Sequence, residues 1–446
     1  MKTIYNSCVE SPFYRHPLYM IADKIKRALC TNGFQLVDDG KIPEVELAET
    51  AYNTWEEPEC DFDWLNDRIS FQDGKTVFRT RLLPGLVEHM KKAGNISKDR
   101  IFSFGRVYHK QDTLKPMHSH IEGLYCLKAF TTDEEWYLWK NVGEELFGLG
   151  TEVWFVPVGE DSHKIVFKDI RGNKEYIIGY VGAASDQLIQ EYGCGNESEW
   201  RVFVIDVDKY ATEVLDLDNR EELYCVDSKI LEQYECNESS AGKTYANRVA
   251  DVLRRLGYLE FVGETIHPDG IYKKMNMIQD SWDSNNNPYA LDEPLGEATA
   301  LRTVLTPSME EALAVNFKKG NKEVYLFEIG HIYLPVKGES LPKEQLAVSI
   351  GAYGPDVTEE SFAEDMGKIL TNIGIIGEML ATTDQAIAYK KGTCKLLISS
   401  EFKYLDGNFG GISPIACENF GIGCEAFMAQ IELAAPEAEA ARIRRK

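Results

Sequence analysis

Residues 78–84 read FRTRLLP, and residues 301–307 read LRTVLTP. Each opens an amphipathic stretch, PGLVEHMKKAG at 84–94 and PSMEEALAVNFKKG at 307–320. Each is then followed by a similar strand-like box, RIFSFGRVY at 100–108 and EVYLFEIGHIY at 323–333. A chain that writes one order of elements twice predicts two domains of like fold, and this box therefore decides the architecture.

Two further boxes keep the same order. MIADKIKRALCTNGF at 20–34 matches RVADVLRRLGY at 248–258, both helical patterns closing near a glycine. IIGYVGAASDQLIQEYG at 177–193 matches LDGNFGGISPIACENFG at 405–421. The offsets are 228 (Ala22 to Ala250), 223 (Arg79 to Arg302), 225 (Gly105 to Gly330) and 228 (Gly193 to Gly421). A period of that size is a whole domain and not a solenoid unit. Runs such as EWRVFVIDVD at 199–208, KEVYLFEIGHIYLP at 322–335 and FMAQIEL at 427–433 read as strands. Short turns join them more often than crossover helices do. The expectation is an α+β chain of two tandem modules, 1–234 and 235–446, each a mainly antiparallel sheet flanked by helices. The polar stretch ECNESSAGKT at 235–244 reads as the linker, and the modules are expected to pack as a pseudo-two-fold dimer, with further homodimerisation left open.

Composition bounds the function. The 446 residues are 44% hydrophobic and 11% aromatic, a globular profile. The most apolar helical candidate, GKILTNIGIIGEML at 367–380, carries Lys368, Asn372 and Glu378 and reads as a core helix, not a membrane span. The N-terminus lacks an apolar run of signal-peptide length, so a soluble, cytoplasmic protein with no membrane partner is expected. Ten scattered cysteines without a C-x-x-C pair read as free thiols in a reducing compartment. With 48 Lys and Arg against 72 Asp and Glu, the formal charge is −24, which works against binding a phosphate backbone. Only the tail RIRRK at 442–446 is plainly basic.

The boxes resemble phenylalanyl-tRNA synthetase, a class II synthetase of α and β subunits. HPLYMIADKIKRALCTNGF at 16–34 looks like the α subunit's HPL…GF opening, and GRVYHKQ at 105–111 and PMHSHIEGL at 116–124 resemble its GRVYRRD and PMFHQVEGL. The stretch at 294–335 is similar to the β subunit's LRTSLLPGLLE…VRLFEIGRVF pattern, and GNFGGISPIACENFGI at 407–422 to its G-x-x-GE-x-HP-x-V region. The resemblance implies a single-chain fusion of an α-like module with a β-core-like, catalytically silent one. No coiled-coil arm, anticodon-binding domain or editing module is recognisable. A tRNA would then have to dock on an acidic body.

A class II adenylation site grips the α-phosphate of ATP with two arginines, because a planar fork binds phosphate oxygens bidentately. The resemblance places the first at His109, beside Lys110, and the next acidic residue at Gln111. The second falls in VIDVDKYA at 204–211, where Lys209 takes the arginine's place and Val204 and Asp206 replace glycines. Arg106 is a further candidate for ATP. In the amino-acid pocket the family's THTS becomes TRLL, with Arg81 and Leu83, and its Gln becomes His120, while Glu122 is kept. Arg81 reads either as an ion pair with Glu122 or as a clamp on a substrate acid. The family's aromatic FPFTEP signature is not recognisable in WFVPVGEDSHKIVF at 154–167. His118 and His120, two apart on a strand, face one side, with Cys126 six beyond. One reading is a metal site with His109 as a third ligand, but no firm ligand spacing supports it; half-buried histidines lining a pocket are the preferred reading, and no metal is assigned.

Three readings stand at this stage. One is a ligase that forms an adenylate of a small acid or amino acid, using ATP and Mg2+ through His109, Lys110 and Lys209. The second is a non-catalytic small-molecule-binding or regulatory pseudo-synthetase, and the third a true phenylalanine-tRNA ligase.

Overall fold

The computed structural model describes residues 17–39, 42–50, 68–92, 99–110, 116–127, 132–159, 161–169, 174–193, 199–215, 245–268, 270–275, 288–336, 338–372, 377–381, 389–390, 393, 395–399 and 407–433. Two compact units divide the chain, one spanning Pro17–Cys225 and the other carrying Val226–Lys446. The expected linker at 235–244, the basic tail and Gln111 lie outside the described residues.

The first unit begins with helix α1 (Pro17–Thr31), strands β1 (Gln35–Asp39), β2 (Val45–Leu47) and β3 (Thr76–Phe78), and helix α2 (Leu83–Lys92). Strands β4 (Arg100–Tyr108) and β5 (Met117–Leu127) precede helix α3 (Thr132–Phe147). Then come β6 (Glu152–Pro157), β7 (His163–Asp169), β8 (Lys174–Ala183), helix α4 (Asp186–Tyr192), β9 (Glu199–Asp206) and helix α5 (Val207–Val214). Seven of these strands form a sheet in the order β1-β4-β5-β9-β8-β7-β6, parallel only at β1–β4.

The second unit has helix α6 (Tyr245–Arg255), strands β10 (Leu259–Glu260) and β11 (Ile266–Pro268), helix α7 (Ile271–Lys274), and strands β12 (Ala290–Leu295) and β13 (Ala298–Leu301). Helix α8 (Thr306–Lys318), strands β14 (Val324–Leu334) and β15 (Lys343–Tyr353) and helix α9 (Glu359–Asn372) follow. Strands β16 (Gly377–Ala381), β17 (Lys395–Ser399) and β18 (Gly407–Gly411), helix α10 (Pro414–Phe420) and β19 (Phe427–Glu432) complete it. Its sheet runs β10-β14-β15-β19-β18-β17-β16, again parallel only at the first pair. The antiparallel-rich α+β expectation holds in both units.

Local causes recur at matched positions. In α1, Leu18, Ile21, Ala22, Ile25, Ala28 and Leu29 repeat at helical spacing and are buried. In α6, Val249, Ala250 and Leu253 do the same. Each helix ends on a glycine at positive φ, Gly33 at 84° and Gly257 at 87°, where a Cβ would be strained. The next amide then closes back, Phe34 N–H onto the Leu29 carbonyl and Tyr258 N–H onto that of Leu253, both at 3.1 Å.

The repeated Arg-Thr pair has a shared structural role. Arg79 Nε donates to the Arg106 carbonyl at 2.6 Å, and Arg302 Nε donates to the His331 carbonyl at 2.8 Å. Arg79 Nη1 reaches the Ile42 and Pro43 carbonyls, and Arg302 Nη1 that of Glu264. Each guanidinium pins a loop to the first long strand of its sheet.

One expectation fails. The stretch 367–380 is not one helix: α9 stops at Asn372, and Gly377 opens β16. Gly374 and Gly377 each cost a helix interior about 1 kcal/mol relative to alanine, which an apolar pattern conceals.

Candidate functional site

Three strands of the first sheet bring the candidate residues together. On β4 and β5, Gly105 lies opposite His120 and Val107 opposite His118. On β5 and β9, His120 lies opposite Asp206 and Glu122 opposite Val204. Alternation along a strand puts all of these on one face. Arg106 pairs with Ser119, so its side chain belongs to the opposite face. There Phe34 stacks edge-on to Phe102, Tyr125 and Phe203. The Arg106 proposed for ATP therefore does not join the histidines.

His109 does join them. Its N–H bonds the Pro116 carbonyl at 2.8 Å, closing the β4–β5 connection. Its ring, only 3% exposed, lies 4.9 Å from that of His118 and 5.6 Å from that of His120, centroid to centroid. Lys110, next to it, is half-buried.

Glu122 is fully buried. Its Oε2 accepts the Leu82 N–H at 2.8 Å and the Leu83 N–H at 3.3 Å, capping the start of α2. Its Oε1 lies 3.4 Å from His120 Nδ1 and 3.7 Å from Arg81 Nη1. Burial opposes ionisation here, but the hydrogen bond from His120, the charges of Arg81 and His120 and the Leu82 amide override it and hold the carboxyl below its ordinary pKa. Arg81 and Glu122 thus meet as the buried ion pair, and the carboxylate is committed within the fold.

Asp206 ends β9 and caps α5, its Oδ1 accepting the Lys209 N–H at 2.9 Å. Its Oδ2 lies 3.7 Å from His118 Nδ1. Burial again opposes ionisation, and the two histidines with the Lys209 amide outweigh it, leaving the pKa lowered. Asp208 is buried and accepts the Ser119 N–H at 3.3 Å. Lys209 itself is exposed, and its charge acts on Glu213 one turn along the helix. Val204 is buried in an apolar cluster with Leu83, Leu86, Leu124 and Leu188. Cys126, buried in that same cluster, stands six residues from His120, about 20 Å along the strand, too far to share a ligand with the histidines.

These placements test the ATP and Mg2+ that the resemblance implies. The position of the second guanidinium is an outward-pointing lysine, Arg106 faces away, Val204 fills the glycine-lined approach, and Asp206 adds a carboxylate beside the histidines. This donor set does not fit a triphosphate, and no catalytic step is derived through one.

Glu46 was not legible as a site residue. It lies on β2, close enough to Arg79, Arg68, Glu88 and Glu122 to feel their charges, and burial foremost raises its pKa to about 7. No motif surrounds it in the sequence. A separate groove of about 490 Å³ is lined by Trp154, Val156, Val166, Lys174, Ile177 and Glu213 among others, and none of the predicted site residues among the described ones borders it.

His118, His120, Glu122 and Asp206 thus gather where β4, β5 and β9 run side by side. The sequence matches the family described as "tRNA synthetases class II core domain (F)" over residues 9–234, half of the chain, and that described as "Phenylalanyl tRNA synthetase beta chain CLM domain" over 233–433. The chain belongs to the phenylalanyl-tRNA synthetase family of class II synthetases. It is 28% identical over 187 residues to the phenylalanine–tRNA ligase beta subunit of Clostridium acetobutylicum, 42% of this chain and 23% of that one. It is 28% identical over 200 residues to the Clostridium tetani beta subunit, 43% and 24% of the two chains. The chain thus spans about a quarter of the length of the curated relatives it matches.

Proposed function

We propose that this chain is a non-catalytic member of its family, a pseudo-synthetase that binds a small acid or amino acid without adenylating it. The commitment of Glu122 carries this reading. The carboxylate that the family pattern aims at an ammonium group instead caps α2 and pairs with Arg81. The lack of fit to a triphosphate agrees with it. A cytoplasmic location is proposed with it, and tRNA charging is not, given the charge of −24. The test is amino-acid-dependent exchange of pyrophosphate into ATP, run beside calorimetry with phenylalanine, ATP and bulk tRNA. Exchange at background is expected, and sustained exchange would overturn the proposal.

An adenylating ligase is the second reading, and one observation favours it. His109, at the end of β4, stands beside the other histidines, and Lys110, a cation, follows it in the chain. Exchange abolished by His109→Ala would establish it.

The two units are proposed to be copies of one module, paired as an isologous dimer would be. Equal strand orders and the matched Arg79 and Arg302 bonds support the common origin. An experimental structure of the full chain lacking a two-fold relation between the sheets would remove the pairing.

A further inference from the structure

Several of the residues at which this chain departs from its family pattern stand together. His109 stands for an arginine, His120 for a glutamine and Asp206 for a glycine, and His118 joins them. One ligand atom each from His118, His120 and Asp206 lies within 4.8 Å of the others. The three imidazole centroids are 4.9, 5.6 and 6.0 Å apart. Four ligands at about 2.1 Å around a tetrahedral metal stand about 3.4 Å from one another, and His118 Nδ1 and Asp206 Oδ2 are already at 3.7 Å. Small rotations of the side chains would close the rest.

The surroundings orient these groups as supporting partners orient metal ligands. Asp206 Oδ1 is held by the Lys209 amide, which leaves Oδ2 toward His118. His120 Nδ1 faces the Glu122 carboxylate, which leaves Nε2 for a metal and fixes the ring through a carboxylate–histidine contact. Glu122 in turn is anchored by two backbone amides and Arg81.

We infer that His118, His120 and Asp206 form a binding site for a late first-row divalent cation, Zn2+ by the chemistry of two imidazoles and a carboxylate, with a fourth position bordered by His109. Hard cations such as Mg2+ prefer oxygen donors and are not the ligand class. The site goes beyond the proposed function and is independent of whether the module adenylates.

The experiment uses the full chain, stripped with a chelator and titrated with Zn2+ by calorimetry and with Co2+ by visible absorption. Expected are one-to-one uptake and the ligand-field bands of a low-symmetry Co2+ site. His118→Ala and Asp206→Asn each should weaken Zn2+ by roughly 100-fold or more, at least what loss of a supporting contact costs. Asparagine keeps the oxygen that caps α5, so the fold persists, as circular dichroism would verify. His163→Ala, on β7, should leave affinity unchanged. Absence of stoichiometric uptake overturns the site, and so does uptake that survives both variants, which would mark casual binding by surface groups.

Discussion

The side chain of Arg79 lies directly over Gly105: a Cβ on that glycine would stand 2.7 Å from Nη2. In the second unit a Cβ on Gly330 would stand 2.3 Å from Arg302 Nη2. An arginine tip can usually step aside, but each of these is tied to backbone carbonyls and cannot leave without breaking them. The glycine in each strand box is therefore a clearance for a structural guanidinium. Gly105→Ala and Gly330→Ala are expected to destabilise the protein by about 1–3 kcal/mol each, the range of overpacked interiors. Gly330→Ala should cost more, because Arg302 is fully buried and also paired with Glu328 at 2.6 Å. Urea unfolding checks both, and a change within error at either position would refute the clearance.

A double-mutant cycle on Arg81 and Glu122 tests whether their 3.7 Å approach is an interaction or mere proximity. Both side chains are nearly or fully buried. Arg81→Ala and Glu122→Gln should each destabilise, and the double variant should cost less than their sum by about 0.5–3 kcal/mol. Glu122→Gln also removes negative charge from the start of α2. Strict additivity would mean that Arg81 has no energetic stake in Glu122.

The sequence made the fold legible because its signals were local. Helical spacing in 20–34 and 248–258, glycines at helix ends and alternation in the strand boxes are all short-range patterns. The site was legible only in part. His109, His118 and His120 sit within twelve residues and were seen together, whereas Asp206 joins them through the pairing of β5 with β9 across 86 residues (206 minus 120). Arg106 shows a different limit. A motif match fixed its place in the box, while the pleat decided its face. Lys209 was likewise matched by position, but the turn of α5 carries its side chain to solvent. Glu46 carries no pattern at all, and only the packing around β2 reveals its surroundings.

Glu46 should leave a signature in the pH dependence of stability. Its ordinary value of 4.5 rises to about 7 in the fold, chiefly by burial. Below the unfolded value both states hold the proton and the stabilisation is complete. As pH rises from there to about 7, the unfolded chain ionises freely and the folded one does not, so stability falls, by at most about 3 kcal/mol. Glu46→Gln should flatten this slope and be the more stable form above neutrality. Urea midpoints followed by tryptophan fluorescence in that window decide it. A slope identical in wild type and variant would assign the dependence elsewhere.

His267, on β11, should act in the opposite direction. It is 3% exposed, and burial, aided by the Arg302 charge, lowers its pKa from 6.5 to about 3. Above the unfolded value the ring is neutral in both states and its contribution is complete. As pH falls below it, the unfolded chain takes up a proton that the folded ring refuses, and stability drops by up to about 5 kcal/mol before the folded value is reached. Ser308 Oγ lies 3.5 Å from His267 Nε2, so His267→Gln offers a non-titrating group able to reach the same hydroxyl. Hydrogen exchange at about pH 8 and about pH 5, corrected for intrinsic rates, reads the effect in peptides covering β11 and β13. Wild type should lose protection there in acid and the variant should keep most of it. Equal losses in the two proteins would show that acid acts on the second unit through some other group.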